Sequence, residues 1–162
     1  QFVDLLKQTD DFLEMAGRDR CESVLIFGVP EMDANDVSFD QDYCMYDVLI
    51  SEQVDPVALE LSDSLCAADE ELTERYKELI ANFVNDSAKW FNIARNRILR
   101  DVEDADGLKL MTVYVLFEQE ARSGLFGLLF NLNADREHGR GMKMDGTDYE
   151  IVAYGEAHVA FC

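Results

Sequence analysis

The residues best suited to chemistry lie in one short stretch, NADREHGRG at 133–141, where Asp135, Glu137 and His138 stand beside Gly139 and Gly141. A carboxylate beside an imidazole can move a proton or share a metal ion. A metal site takes at least three protein ligands, and zinc favours His and Cys. The only other histidine is His158, and no HxxxH, HxH or CxxC spacing supports either one. GRG at 139–141 is too short to cradle a phosphate and does not open a helix. GxSxG, P-loop and GxGxxG motifs are absent, and no Ser or Cys has an evident His partner. The stretch therefore reads as a turn. Asn133 and Asp135 suit it because their side chains bond nearby backbone, and the glycines supply positive φ or a bulge. His138 is expected to bond within that turn or to a neighbouring acid. No catalytic set, metal or cofactor is expected; the alternative is an enzyme of unknown type acting through Glu137 and His138.

The elements that position this turn follow from periodicity. Apolar residues at Phe2, Leu5, Leu6, Phe12, Leu13 and Ala16 predict a helix over 2–16 that ends at Gly17. SVLIFGV at 23–29 and DYCMYDVLI at 42–50 read as strands. From Leu72 a 3.6-residue stripe runs through Tyr76, Leu79, Ile80, Phe83, Trp90, Phe91, Ala94, Ile98 and Val102, with Asp69 or a neighbour as N-cap. Ordinary helix lengths favour a break in it near Asn85. Strands are expected over 108–119 and 125–133, joined by EARSG with Gly124 at the turn. Two shorter strands, GMKM and YEIVAY, follow around Asp145-Gly146, and EAHVAF closes as a strand or short turn. DADG at 104–107 resembles a calcium loop, but with Gly107 as sixth position the first and twelfth ligands would be Val102 and Val113. It reads as a helix-to-strand turn. The expectation is an α+β fold, helices packed on one face of a largely antiparallel sheet, in a single domain over 1–162. Its acidic N-terminal part spans 1–71, and the helix and β-meander span 72–162.

Charge supplies the functional clue. The net charge is −20, and from Cys21 to Glu74 there are 54 residues without a Lys, Arg or His. Fifteen acids lie in that stretch, whereas the remaining nineteen face fourteen bases. Such a chain disfavours nucleic-acid phosphates and anionic lipid. No apolar stretch reaches the roughly 20 residues that span a bilayer, and the first residues lack the pattern of a signal peptide. Four cysteines, Cys21, Cys44, Cys66 and Cys162, are spaced for no CxxC pair. Reduced thiols in a cytoplasmic protein are expected. Acids without nearby cations form either a solvated surface or a docking face for a basic protein. A calcium site in the 31–47 acids is a third reading, which the missing loop pattern disfavours. The docking reading assigns Asp33, Asp36, Asp40, Asp42, Asp47, Glu52 and Asp55 to the interface. Phe39, Tyr43 and Tyr46 are aromatic anchor candidates, one of the two tyrosines facing inward.

The segment from the long helix through FNLNADREHGRGMKMDGTDYEIVAYGEAHVAF resembles a group of small, mostly uncharacterised bacterial domains, among them immunity proteins of polymorphic toxin systems. Over residues 72–161 the matching positions are Asp135, Glu137, His138, Gly139, Gly141 and Gly155. The tryptophan-type position before that family's turn is missing, since Ala134 and Arg136 flank Asp135. The resemblance implies a binding protein that neutralises a toxic effector. A non-catalytic acidic inhibitor of a basic toxin or nuclease is thus the leading expectation. A structural adaptor whose acidity serves solubility is the other.

Overall fold

The computed structural model describes residues 28–62, 71–119 and 123–162. The chain divides into two compact units, Gln1–Pro30 and Glu31–Cys162, and the fold below is that of the second. The helix expected over 2–16, most of the strand over 23–29, the cap at Asp69 and part of the EARSG turn lie outside the described residues.

Six strands form one sheet in sequence order: β1 (Cys44–Val48), β2 (Val57–Leu61), β3 (Lys109–Val115), β4 (Leu125–Asn131), β5 (Arg140–Asp145) and β6 (Ile151–Gly155). Between β2 and β3 come two helices, α1 (Glu74–Asn85) and α2 (Ser87–Leu99). Every neighbouring pair is antiparallel except β2 with β3, which run parallel. The exception has a simple cause: only a crossover as long as this helical pair can return the chain to start a parallel strand. The fold is α+β with a mostly antiparallel sheet. Residues 44–61 of the acidic stretch are part of it, since β1 and β2 continue the sheet built by β3–β6.

β2 was not foreseen, although VALEL alternates cleanly. Val57, Leu59 and Leu61 are buried while Ala58 and Glu60 are half-buried. On β4, Phe126, Leu128 and Phe130 are buried. Phe83 of α1 stacks on Phe126 with ring centroids 3.8 Å apart, and Phe91 of α2 meets Phe130 edge-on at 5.7 Å. Burying a side chain of this size stabilises by roughly 1.5–3 kcal/mol.

The long apolar stripe does break, at Asp86. Thr73 caps α1, its Oγ1 accepting from the Tyr76 N–H at 3.2 Å. Across the break, Trp90 donates its indole N–H to the Phe83 carbonyl at 2.7 Å while its ring stacks on Phe83 at 4.7 Å. The Asn85 amide brackets the Met32 backbone, donating to its carbonyl at 2.8 Å and accepting from its N–H at 2.7 Å. The Tyr149 hydroxyl donates to Asp86. That bond, with Lys89 beside it, holds the Asp86 carboxyl below the usual carboxylate range, and burial with the same bond pushes the Tyr149 hydroxyl up.

After β6, the chain makes a short 3-10 turn at Ala157–Ala160. It sits directly on the sheet because Gly127 and Gly141 have no side chain. A Cβ at Gly127 would come 1.7 Å from the Ala160 carbonyl oxygen, and one at Gly141 would come 2.6 Å from the oxygens of Glu156 and Ala157. Gly127→Ala should therefore lift this turn and lower stability by at least the roughly 1–3 kcal/mol of an overpacked core. Urea unfolding measures the loss; a change below about 0.5 kcal/mol, the size of an ordinary surface substitution, would show that the turn is not seated there.

Candidate functional site

The acidic residues divide by what their carboxylates touch. Asp33 and Asp36 cap the 3-10 turn at Ala34–Asp36 reciprocally: the Asn35 N–H donates to Asp33 at 2.9 Å and the Asp33 N–H to Asp36 at 2.8 Å. Asp40 accepts from the N–H groups of Asp42 and Cys44 at 2.9 and 3.0 Å, bending the chain into β1. Asp55 pairs with Lys109 at 3.1 Å. Asp42 and Asp47 are exposed and, among the described residues, have no cation within ion-pair distance. Thus Asp40, Asp42 and Asp47 gather along β1, an edge strand, with Asp55 beyond its far end. Asp33 and Asp36 cluster instead beside the Asn85 corner. Glu52 stands apart. It is half-buried and lines a groove of about 480 Å³ with Phe91, Asn92 and Arg95.

Phe39 turns partly into the core. The inward tyrosine expected on β1 does not exist: Tyr43 and Tyr46 are 38% and 62% exposed. Met45, paired with Leu59, packs inward instead. The strict alternation fails because Tyr43 and Asp47 have positive φ, 58° and 62°, and the pairing slips between Met45 and Val48. Leu49 is also exposed. The outer strand therefore carries apolar rings among uncompensated carboxylates.

The EHG turn is built differently. Gly139 has φ 63°, and a Cβ there would stand 2.7 Å from the Phe130 carbonyl oxygen, so only glycine fits. Asp135 Oδ1 accepts from the His138 N–H at 3.2 Å and lies 3.0 Å from His138 Nδ1. Its Oδ2 accepts from Arg140. Arg140 also donates to Asp101 at 2.9 Å and to the Gly139 carbonyl at 2.8 Å. Asp101 in turn accepts from the Tyr154 hydroxyl at 3.0 Å. The Arg140 bond chiefly holds the Asp135 carboxyl below its usual range; for Asp101 the Tyr154 hydroxyl does so first and Arg140 second. Chemically, Asp135 orients the imidazole, but its second oxygen is committed to Arg140. Glu137 is exposed and outside this network. Among the described residues no group of three or more His, Cys, Asp or Glu side chains is arranged to hold a metal ion.

Sequence reasoning missed a third place. A groove of about 540 Å³ runs between α2 and β6, lined by Ile93, Arg97 and Arg100 on the helix and Ile151, Val152 and Tyr154 on the strand. RNRILR at 95–100, a cationic cluster in an acidic chain, was its one visible signal. No family model, curated protein or solved structure matches this chain. Among the described residues, no helix is long and apolar enough to cross a membrane.

Asp101 and Asp135 bind protons less readily folded than unfolded, so the stability they contribute is present above the ordinary carboxylate pKa of about 3.9 and is lost as pH falls through their folded values. Asp135→Asn should destabilise at neutral pH, and its deficit relative to the wild type should shrink below about pH 4. His138→Ala, whose side chain is 58% exposed, should change stability little. Urea titrations between pH 3 and 8 check both; a pH-independent Asp135→Asn deficit would rule out the ionic account.

Proposed function

We propose that this protein is a non-catalytic acidic binding protein, an immunity or inhibitor protein that neutralises a basic toxin or nuclease domain by covering it. One observation carries the reading: Tyr46 and Asp47 on the edge strand β1, and Asp40, Asp42, Tyr43 and Leu49 in the segments that flank it, are all exposed. Exposed aromatics supply the contact energy of an interface, and unpaired carboxylates speed encounter with a cationic partner. Nucleases are cationic where they hold phosphates, so an acidic inhibitor can imitate their substrate's charge. Inhibitor and nuclease pairs of this kind reach the tightest non-covalent affinities. The resemblance of residues 72–161 to immunity domains supports the same reading, as does the excess of acid over base along 31–55. The protein would act in the cytoplasm. Its two helices would form one layer over the sheet, supported by the meeting of Phe83 and Phe91 with Phe126 and Phe130 of β4.

An enzyme acting through Glu137 and His138 is the second reading, favoured by the Asp135–His138 pair alone.

The deciding experiment is an affinity pull-down from the source cell at about 0.1 M and about 0.5 M salt, where screening shortens from about 10 Å. A stoichiometric basic protein should be captured and should associate more slowly at high salt. Asp42→Lys combined with Tyr46→Ala should slow association with the captured partner about tenfold or more, as loss of steering does. His138→Ala should leave it unchanged. Capture that ignores salt and the double variant would sink the proposal.

A further inference from the structure

The two edges of the sheet are unlike each other. β1 is guarded against further pairing by its carboxylates and its positive-φ Asp47. β6 (IVAYG) has no charged residue and ends the sheet at the other side. Among the described residues it pairs only with β5. That pairing slips between Lys143 and Met144, which makes Val152 an extra residue in β6. Val152 is 56% exposed and lines the groove opposite α2, where Ile93 is 40% exposed. The groove thus sets a few apolar side chains among polar ones, and among the described residues its rim is a strand edge with no further strand beyond it.

Charge decides what such a groove can accept. Arg97 and Arg100 stand together on its helical wall, with Glu150 as the one acid lining it. The Arg97 guanidinium lies 3.8 Å from the centroid of the Tyr154 ring, so its position is fixed by stacking. Planar guanidinium groups match carboxylates by paired hydrogen bonds. A nucleic acid or another polyanion would meet the −20 charge of the whole chain, whereas a short segment with one or two carboxylates would not be repelled strongly. Grooves between an edge strand and a helix take extended peptides, whose backbone adds to the sheet while alternate side chains fill the groove.

We propose that the groove between α2 and β6 binds an extended segment of a partner protein that carries carboxylates among aliphatic residues. The segment's backbone pairs with the outer edge of β6, its aliphatic side chains contact Ile93 and Val152, and its carboxylates meet Arg97 and Arg100. This site is independent of the acidic strand at the opposite edge and takes a partner of opposite charge.

The probe is a displayed random decapeptide library selected on the intact chain. Selected peptides should be rich in Asp or Glu alternating with Val, Ile or Leu. A fluorescein-labelled copy, followed by anisotropy, should bind about tenfold more weakly to Arg100→Glu, the effect of losing about 1.4 kcal/mol. Arg100 is exposed at the C-terminal end of α2, so this variant should stay folded with only a small fall in unfolding temperature. Hydrogen exchange of amides in 150–155 should slow on binding. Arg97→Lys, which keeps the charge without the planar fork, should weaken binding as well. Enrichment of basic peptides, or no enrichment, would overturn the proposal. So would affinity that ignores Arg100→Glu, or exchange in β6 that does not change. Stronger binding of a single-stranded oligonucleotide at Arg100 would assign the groove to phosphate and overturn it too.

Discussion

The fold of residues 31–162 depends on one corner, the break between α1 and α2. Three independent parts of the chain are tied to it. Phe83 and Trp90, 2% and 0% exposed, stack across the break and onto Phe126 of the sheet. Asn85 holds the Met32 backbone by two hydrogen bonds, which brings the acidic segment to the helices. Asp86 accepts from Tyr149, which fixes the connection between β5 and β6. In a continuous helix residues 83 and 90 would share a face but lie about 10 Å apart along the axis, too far for their rings to stack at 4.7 Å, and residue 85 would point to the other side. The break is therefore a requirement of the core. It also explains why Asp86 makes no side-chain cap on α2: its carboxylate is engaged elsewhere.

From this corner the molecule is polarised. The sheet order puts β1 and β6 at opposite edges. Carboxylates without counter-charges lie along β1, whereas Arg97, Arg100 and Arg140 lie around β5, β6 and the end of α2. Much of the acidity near β1 serves local structure, as caps and turn acceptors, which offsets part of the repulsion that a run of like charges brings. Asp42 and Asp47 take no part in that local bonding, and they flank the exposed Tyr43 and Tyr46. A solubility role would be served by acids anywhere on the surface. Their coincidence with exposed rings in and beside β1 is what supports the proposed docking face.

Legibility followed the range of the interactions. Periodicity located both helices and the break near Asn85, and Asp145-Gly146 marked the last hairpin, because these are set within a few residues. Thr73, not an acid at 69, caps α1, a choice between close neighbours that spacing alone does not make. VALEL alternates over only five residues and is rich in Ala, Leu and Glu, which favour helix over strand. The inward tyrosine was wrong for a physical reason: positive φ at Tyr43 and Asp47 breaks the two-residue period, and neither residue type announces it. Longer-range features were beyond reading. Arg140 and Asp101 are 39 residues apart, and Tyr154 reaches Asp101 from 53. The groove beside β6 needs both the strand order and the path of α2.

The EHG turn illustrates how residues of chemical type can carry mechanical work. Gly139 is needed for its positive φ against the Phe130 carbonyl, and Gly141 because the following turn crosses over it. The His138 carbonyl accepts from the Ala157 N–H at 3.2 Å, so the same motif that bends the chain between β4 and β5 also seats residues 157–160 on the sheet. Asp135 then binds the turn to Arg140, and Arg140 binds it to Asp101 at the end of α2. Asp135, Gly139, Gly141 and the backbone of His138 thus each have a mechanical task that does not require a substrate. Glu137 is exposed and takes no part in that network.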